Sequence, residues 1–245
     1  MLLESQTILI TGGTSGVGYQ LVKQLAARKN KIIVIARDEN KLRALHNELP
    51  TISYYQCSLA DHNQLITTLN TITSQYRDIS VLINNAGIQF TPMLTDIDFV
   101  MDNIDEEISI NLTAPIIICA FFVSLWEKRH QPSAIINITS GLAFYPKKNS
   151  AVYCATKAGL RNFTTSLGYQ LENTPINVHE AILPLVDTPM THGRSAKKIT
   201  PAYAAQEIIK GIENNRAEIF IGKTKFIPLL ARLSPKLMAA ILKSA

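Results

Sequence analysis

Tyr153 and Lys157 lie four residues apart, and on a helix that spacing places both side chains on one face, a turn from each other. A phenol beside an ammonium ionises below its reference pKa of about 10, because the cation favours the phenolate. Such a phenol can give or take a proton near neutral pH. Tyr-x-x-x-Lys alone is a common pair, since a tyrosine and a surface lysine meet at this spacing in many helices. Its weight comes from the run ahead of it. Ala134-Ile135-Ile136-Asn137-Ile138 reads as a strand and delivers Ser140 at its end, thirteen residues before Tyr153. A serine hydroxyl there can hydrogen-bond the same reacting oxygen as the phenol. The pair needs a partner that does redox or carbanion chemistry, which directs attention to a cofactor loop.

The elements that would position these groups are legible along the chain. A short apolar run, Gln6 to Ile10, leads into Thr11-Gly12-Gly13-Thr14-Ser15-Gly16-Val17-Gly18, after which Val17, Leu21, Val22, Leu25 and Ala26 recur at helical spacing. Strand, glycine loop and helix in that order suit a phosphate: the glycines let the backbone approach a pyrophosphate, whose charge then faces the helix N-terminus. The plainer alternative is an ordinary glycine-rich turn. Lys31 to Ala36 is a second strand, uniformly apolar as a parallel strand buried on both faces should be. Further strands are expected at 52–56, 79–84, 134–139, 176–183 and 218–221, and helical patterns near 39–48, 61–76, 102–127, 151–172 and 201–215. This alternation predicts an α/β fold: a single-domain, Rossmann-type, doubly wound parallel sheet of about seven strands with helices on both faces. The domain is expected to span 1–222, with a short substrate lid at 183–200, followed by a basic amphipathic tail at 223–245.

The motifs taken together, Thr11-Gly-x-x-x-Gly-x-Gly18, Asn84-Asn85-Ala86-Gly87 after the fourth strand, Ser140, and Tyr153-x-x-x-Lys157, resemble those of the short-chain dehydrogenases/reductases from Thr7 to about Met190. Within that family, Gly87-Ile88-Gln89 and the stretch Ile221 to Lys225 are similar to the DltE-like bacterial oxidoreductases. The resemblance implies a tetrad of Asn111, Ser140, Tyr153 and Lys157. The tyrosine would exchange a proton with the substrate oxygen while hydride moves at the nicotinamide, and the serine would orient that oxygen. The lysine would lower the tyrosine pKa and hold the nicotinamide ribose, and Asn111 would keep a water chain open to the lysine. A helix-interior polar residue is the plainer reading of Asn111, but asparagine is a poor helix former, and such local inconsistencies gather at functional sites.

The resemblance places the cofactor against Gly12, Thr14, Ser15, Gly16, Val17 and Gly18, then Asn85, Ala86 and Gly87, and finally Val186 and Thr188 beside the nicotinamide. Cofactor choice is contested. Asp38 is twenty residues past Gly18, the spacing of an acid that binds the ribose hydroxyls of NAD. In the family, however, that acid ends the second strand, where Ala36 stands here, and Arg37 follows at the position assigned to the 2′-phosphate of NADP. A guanidinium suits a phosphate through paired charge-assisted bonds. NADP(H) is therefore favoured, with NAD(H) the alternative. Two departures from the family pattern fall near the cofactor: Ser58 stands where an aspartate usually contacts the adenine, and Pro184-Leu185 replaces Pro-Gly. Gln89, Phe144, Tyr145 and His192 are candidates for the substrate pocket. The histidines show no metal spacing, and no metal is expected.

Composition narrows the classes. The 245 residues are 47% hydrophobic and 18% charged, which excludes a disordered chain. The net charge of +5 is too diffuse for a nucleic-acid partner. Three cysteines without pairing or metal spacing suggest a reducing compartment. With no basic-then-apolar leader at the N-terminus, and an apolar run at 114–126 shorter than the roughly 20 residues of a spanning helix, a cytoplasmic location is expected. That run is apolar nearly all round, as a buried helix is, and the resemblance pairs it with a symmetry mate. A homodimer or homotetramer through helices 102–127 and 151–172 is expected. The tail should pack on its own domain or at an interface, with contact to an anionic membrane surface the lesser alternative. The functional expectation is an NADP-preferring oxidoreductase acting on a small carbonyl or alcohol. Its rivals are a catalytically silent redox sensor or scaffold, an NAD-dependent dehydrogenase using Asp38, and a family isomerase or dehydratase.

Overall fold

Strands whose every residue is buried form the middle of the molecule. β1 (Thr7–Thr11), β4 (Ile79–Asn84) and β5 (Ser133–Ser140) are buried along their whole length, and none of them carries a charged residue. The computed structural model describes residues 2–194 and 197–243. It places seven strands in one parallel sheet of order β3-β2-β1-β4-β5-β6-β7, with β2 at Lys31–Ala36, β3 at Ser53–Gln56, β6 at Ile176–Leu183 and β7 at Glu218–Phe220. The order reverses between β1 and β4. In open sheets of this kind, ligands bind in the crevice beyond the strands' carboxyl ends at such a reversal.

Helices cover both faces. On one side α1 (Gly16–Ala26), α2 (Glu39–Glu48) and α7 (Pro201–Glu213) bury Leu21, Leu25, Leu42, Ile208 and Ile212 against the sheet. On the other, α3 (His62–Gln75), α5 (Ala114–Glu127) and α6 (Ala151–Gln170) bury Leu65, Phe122, Trp126 and Leu167. Asp38, Asp61 and Thr200 cap α2, α3 and α7 through the backbone N–H groups of Lys41, Gln64 and Tyr203, satisfying donors that a helix start leaves free.

The helix leading into α5 is longer than the apolar run at 114–126. α4 (Asp102–Ile108) continues through a π-helical turn, Ser109–Thr113, into α5. The continuous helix has 26 residues, and by length and composition alone it is long and apolar enough to cross a membrane. Here Ile118, Phe122 and Trp126 are fully buried, and the Trp126 indole donates to the Ile79 carbonyl at 2.8 Å. The π turn has a local cause. Pro115 has no N–H to offer the carbonyl of Asn111 four residues earlier, and the ladder widens at that point.

The tail forms two short helices, α8 (Ile227–Leu233) and α9 (Pro235–Lys243), divided where Pro235 cannot continue the first. Ile227 and Met238 are buried, Lys225 pairs with Glu207 at 2.8 Å, and the Lys148 backbone N–H donates to the Lys243 carbonyl at 3.1 Å. The expected lid at 183–200 and the tail each include residues that lie outside those described, 195–196 and 244–245.

Candidate active site

The crevice at the strand reversal is a cavity of about 950 Å³. Its floor at one end is the glycine loop between β1 and α1. Gly12 has a φ of +68°, and a Cβ there would come within 2.8 Å of the Ala86 backbone. Gly16 has a φ of +55°, and a Cβ there would come within 2.9 Å of the Thr188 methyl. Both positions need glycine, for conformation and for close approach. Thr11, at the end of β1, organises the neighbouring loop: its hydroxyl accepts from the backbone N–H groups of Asn85 and Ala86, each at 3.1 Å. The Asn85 side chain donates to the carbonyls of Thr11 and Gly12, each at 3.0 Å. The cradle is thus held open by its own hydrogen bonds, and a pyrophosphate laid in it would meet the N-terminus of α1.

Arg37 lies on the wall beyond β2, its side chain 70% exposed, with an ion pair to Glu106 at 3.4 Å. Asp38 is occupied otherwise. Its carboxylate accepts from the Lys41 N–H at 3.1 Å as the cap of α2 and pairs with the Lys41 ammonium at 3.5 Å. Ser58 also lines this end of the cavity.

The other end carries Ser140, Tyr153 and Lys157. β5 ends at Ser140, on the carboxyl side of the sheet, where its hydroxyl accepts from the Leu142 N–H at 3.2 Å. α6 stacks Tyr153 and Lys157 one turn apart, with the ammonium 5.8 Å from the centre of the phenol ring and donating to the Ile138 carbonyl at 3.0 Å. The sequence spacing predicts a phenol of lowered pKa. Instead burial pushes the Tyr153 phenol up to about 12, opposed by a hydrogen bond with Ser140. Lys157 does not offset this: it is itself buried, desolvation brings it down to about 8, and its ammonium donates to the Ile138 carbonyl.

Asn111 is fully buried beneath this wall. Its Oδ1 accepts from the Ile88 N–H at 2.9 Å, and its Nδ2 donates to the Ile88 carbonyl at 2.8 Å and to the Thr156 hydroxyl at 3.3 Å. Gly87 rests on the same group: a Cβ there would stand 3.2 Å from Asn111 Oδ1 and 3.6 Å from Lys157 Nζ. Val186, Thr188 and Gln89 line the cavity with Ser140, Tyr153 and Lys157. Phe144, Tyr145 and His192 are not among its lining residues. Phe144 turns away to stack on the Arg161 guanidinium at 4.0 Å and to pack on Phe220, and His192 is exposed.

Sequence reasoning missed Glu107. It reads as part of an acidic helix start, Asp105-Glu106-Glu107, yet it is 2% exposed, with the Phe90 N–H donating to it at 3.3 Å. Burial lifts its carboxyl to about 7, against the pull of Lys157. The one available signal is its position four residues before Asn111, on the same helix face.

Comparison with known proteins agrees with this architecture. The family model for short chain dehydrogenase matches residues 6–199. The uncharacterised oxidoreductase DltE of Bacillus subtilis is 34% identical over 230 residues, covering 89% of each chain. Among solved structures, a short chain dehydrogenase from Burkholderia cenocepacia in complex with NADP superposes with a TM-score of 0.88 at 21% identity, covering 100% of both chains. A short-chain dehydrogenase from Sphingobium yanoikuyae in complex with NADPH gives 0.82 at 21% identity, over 95% of this chain and 94% of that one. The chain belongs to the short-chain dehydrogenase/reductase family of NAD(P)-dependent oxidoreductases.

Proposed function

We propose that the protein is an NADP-preferring reductase that interconverts a carbonyl and an alcohol, with Tyr153 as general acid and base. The observation that carries this is the single cavity joining the glycine cradle and Arg37 at one end to Ser140, Tyr153 and Lys157 at the other. The residues fit a dinucleotide: glycines where any side chain would fill the cradle, and a helix N-terminus behind them. When bound, the nicotinamide supplies the hydride for reduction, or accepts it in the reverse direction.

The chain's own groups handle the oxygen and the proton. Ser140 hydrogen-bonds the substrate oxygen. Tyr153, kept protonated at neutral pH by burial, gives its proton to that oxygen as negative charge develops there. Lys157 and the Asn111 bracket hold the phenol's surroundings and carry the replacement proton. A phenol that retains its proton suits the reducing direction. For the cofactor, Asp38 is committed to capping α2, while Arg37 keeps most of its surface free for a phosphate. The solved relatives from Burkholderia cenocepacia and Sphingobium yanoikuyae, in complex with NADP and NADPH, are in keeping with that preference. Consumption of NADPH with a panel of aldehydes and ketones tests the proposal, and turnover of none of them would favour a silent sensor.

For assembly, we infer a two-fold dimer through helices 102–127 and 151–172. Ile117, Phe121 and Leu125 are only partly covered within one chain, and Tyr169 is 69% exposed. Light scattering of the purified protein tests this, with a monomer the contrary result.

A further inference from the structure

The charge around the cavity is one-sided. Among the described residues, eight cationic side chains line it against one carboxylate, Asp38, which sits at the Arg37 end. A dinucleotide's phosphates account for the cations near the glycine loop, but not for Arg194, which acts on the Tyr153 phenol, or Lys147, whose backbone N–H donates to the neighbouring Cys154 thiol at 3.3 Å. Lys147 comes from the loop ahead of α6, and Arg194 from the segment after β6. Both are half-buried, and among the described residues neither forms an ion pair with a carboxylate within 4 Å. Burial depresses the Lys147 ammonium and the Arg194 charge adds to this; Arg194 also favours ionisation of the Tyr153 phenol. Two partly desolvated cations set side by side without an acid cost stability. Such an arrangement is what an anionic ligand offsets.

Arg194 is also held in place. Its Nη2 donates to Gln89 Oε1 at 2.7 Å, and Gln89 Nε2 donates to Ser150 Oγ at 2.8 Å. This chain of side chains crosses from the segment after β6 to the loop after β4 and on to the start of α6. It fixes one edge of the guanidinium to a neutral amide and leaves the remaining N–H groups for a ligand. The neighbouring wall is apolar, with Leu142, Ile227, Leu230 and Met238. The site therefore suits a molecule with an apolar body and one anionic end.

We propose that the substrate is a carbonyl compound with an apolar body and a carboxylate, the carboxylate being held by Arg194 and Lys147 while the carbonyl meets Ser140 and Tyr153. Gln89 is the positioning residue that orients Arg194. The proposal rests on the carbonyl-reductase function above, and it names the substrate class of that same site.

The test separates binding from turnover. Tyr153→Phe protein loaded with NADPH is titrated by calorimetry with a graded series of ω-oxo carboxylates, and in parallel with their methyl esters. At least one chain length should bind about tenfold or more tightly as the carboxylate. In Arg194→Met and Lys147→Met proteins that preference should vanish, while the NADPH dissociation constant stays unchanged. Gln89→Leu should reduce it in part. Equal binding of acid and ester at every chain length, with Arg194 and Lys147 intact, overturns the proposal without calling on any variant at those positions. So does a loss of NADPH binding in Arg194→Met with the acid preference retained, which would assign Arg194 to the cofactor. Failure of the underlying function shows elsewhere, as unchanged turnover of a neutral aldehyde in Tyr153→Phe.

Discussion

Asn111 and Ile88 grip each other in both directions: the Ile88 N–H donates to the Asn111 amide oxygen at 2.9 Å, and the amide nitrogen donates back to the Ile88 carbonyl at 2.8 Å. The side chain thereby copies a strand's pairing for the loop after β4, where no neighbouring strand is available. It also fixes Gly87 beside Lys157.

Replacing Asn111 with Leu keeps the approximate volume but leaves the N–H and carbonyl of Ile88 without partners. Each buried group so stranded costs about 1–3 kcal/mol. The melting temperature should fall by several degrees, at about 2–4 °C per kcal/mol for a chain of this size, and the activity of the folded fraction should fall with it. A melting temperature equal to that of the unaltered protein would mean the bracket is not structural.

Arg37→Ala should weaken NADPH binding about tenfold to a hundredfold, the worth of charge-assisted hydrogen bonds to a phosphate, while leaving NADH binding unchanged. Fluorescence titration with each nucleotide measures both. If NADH binds the unaltered protein more tightly, Asp38 is reading the ribose in spite of its role at the start of α2.

Glu107 makes stability depend on pH. Its carboxyl moves from an ordinary 4.5 to about 7 on folding because it is buried. Between those values the folded protein holds a proton that the unfolded chain has released, so the unfolding free energy falls as pH rises through the window. Glutamine cannot titrate. From about pH 5 to pH 8, Glu107→Gln should lose less stability than the unaltered chain, by up to about 3 kcal/mol. Denaturant unfolding at the two pH values measures this, and parallel losses would show that Glu107 is ionised throughout.

The sheet and its helices were legible because the physics of each leaves a mark in the sequence. Ile32 to Ile35 and Val81 to Ile83 are buried on both faces and read as continuous apolar runs. α1 and α7 bury one stripe and show the period of a helix. The glycine loop was legible because close approach demands glycine. What escaped depends on contacts across the chain. The π turn at Ser109–Thr113 has only Pro115 to mark it in the sequence, since one widened turn sets no period. Glu107 has the same letters as its exposed neighbours, and only packing against Phe90 distinguishes it. The Tyr153 pKa went the other way because the phenol itself is desolvated, which spacing does not show, while the nearby Lys157 ammonium donates to the Ile138 carbonyl. Phe144 and Tyr145 follow Ser140 closely in sequence, yet the short turn at Gly141–Ala143 sends Phe144 onto Arg161 instead of into the cavity.

The most direct measurement is stopped-flow oxidation of NADPH by a reactive aldehyde in the unaltered protein and in Tyr153→Phe, with the NADPH dissociation constant taken on the same samples. A phenol that delivers the proton is worth about 10²–10⁴ in rate, so the variant should lose turnover by that factor while binding NADPH as before. Turnover within a few-fold of the unaltered protein, at equal NADPH occupancy, would contradict Tyr153 as the acid and with it the proposed chemistry of the site.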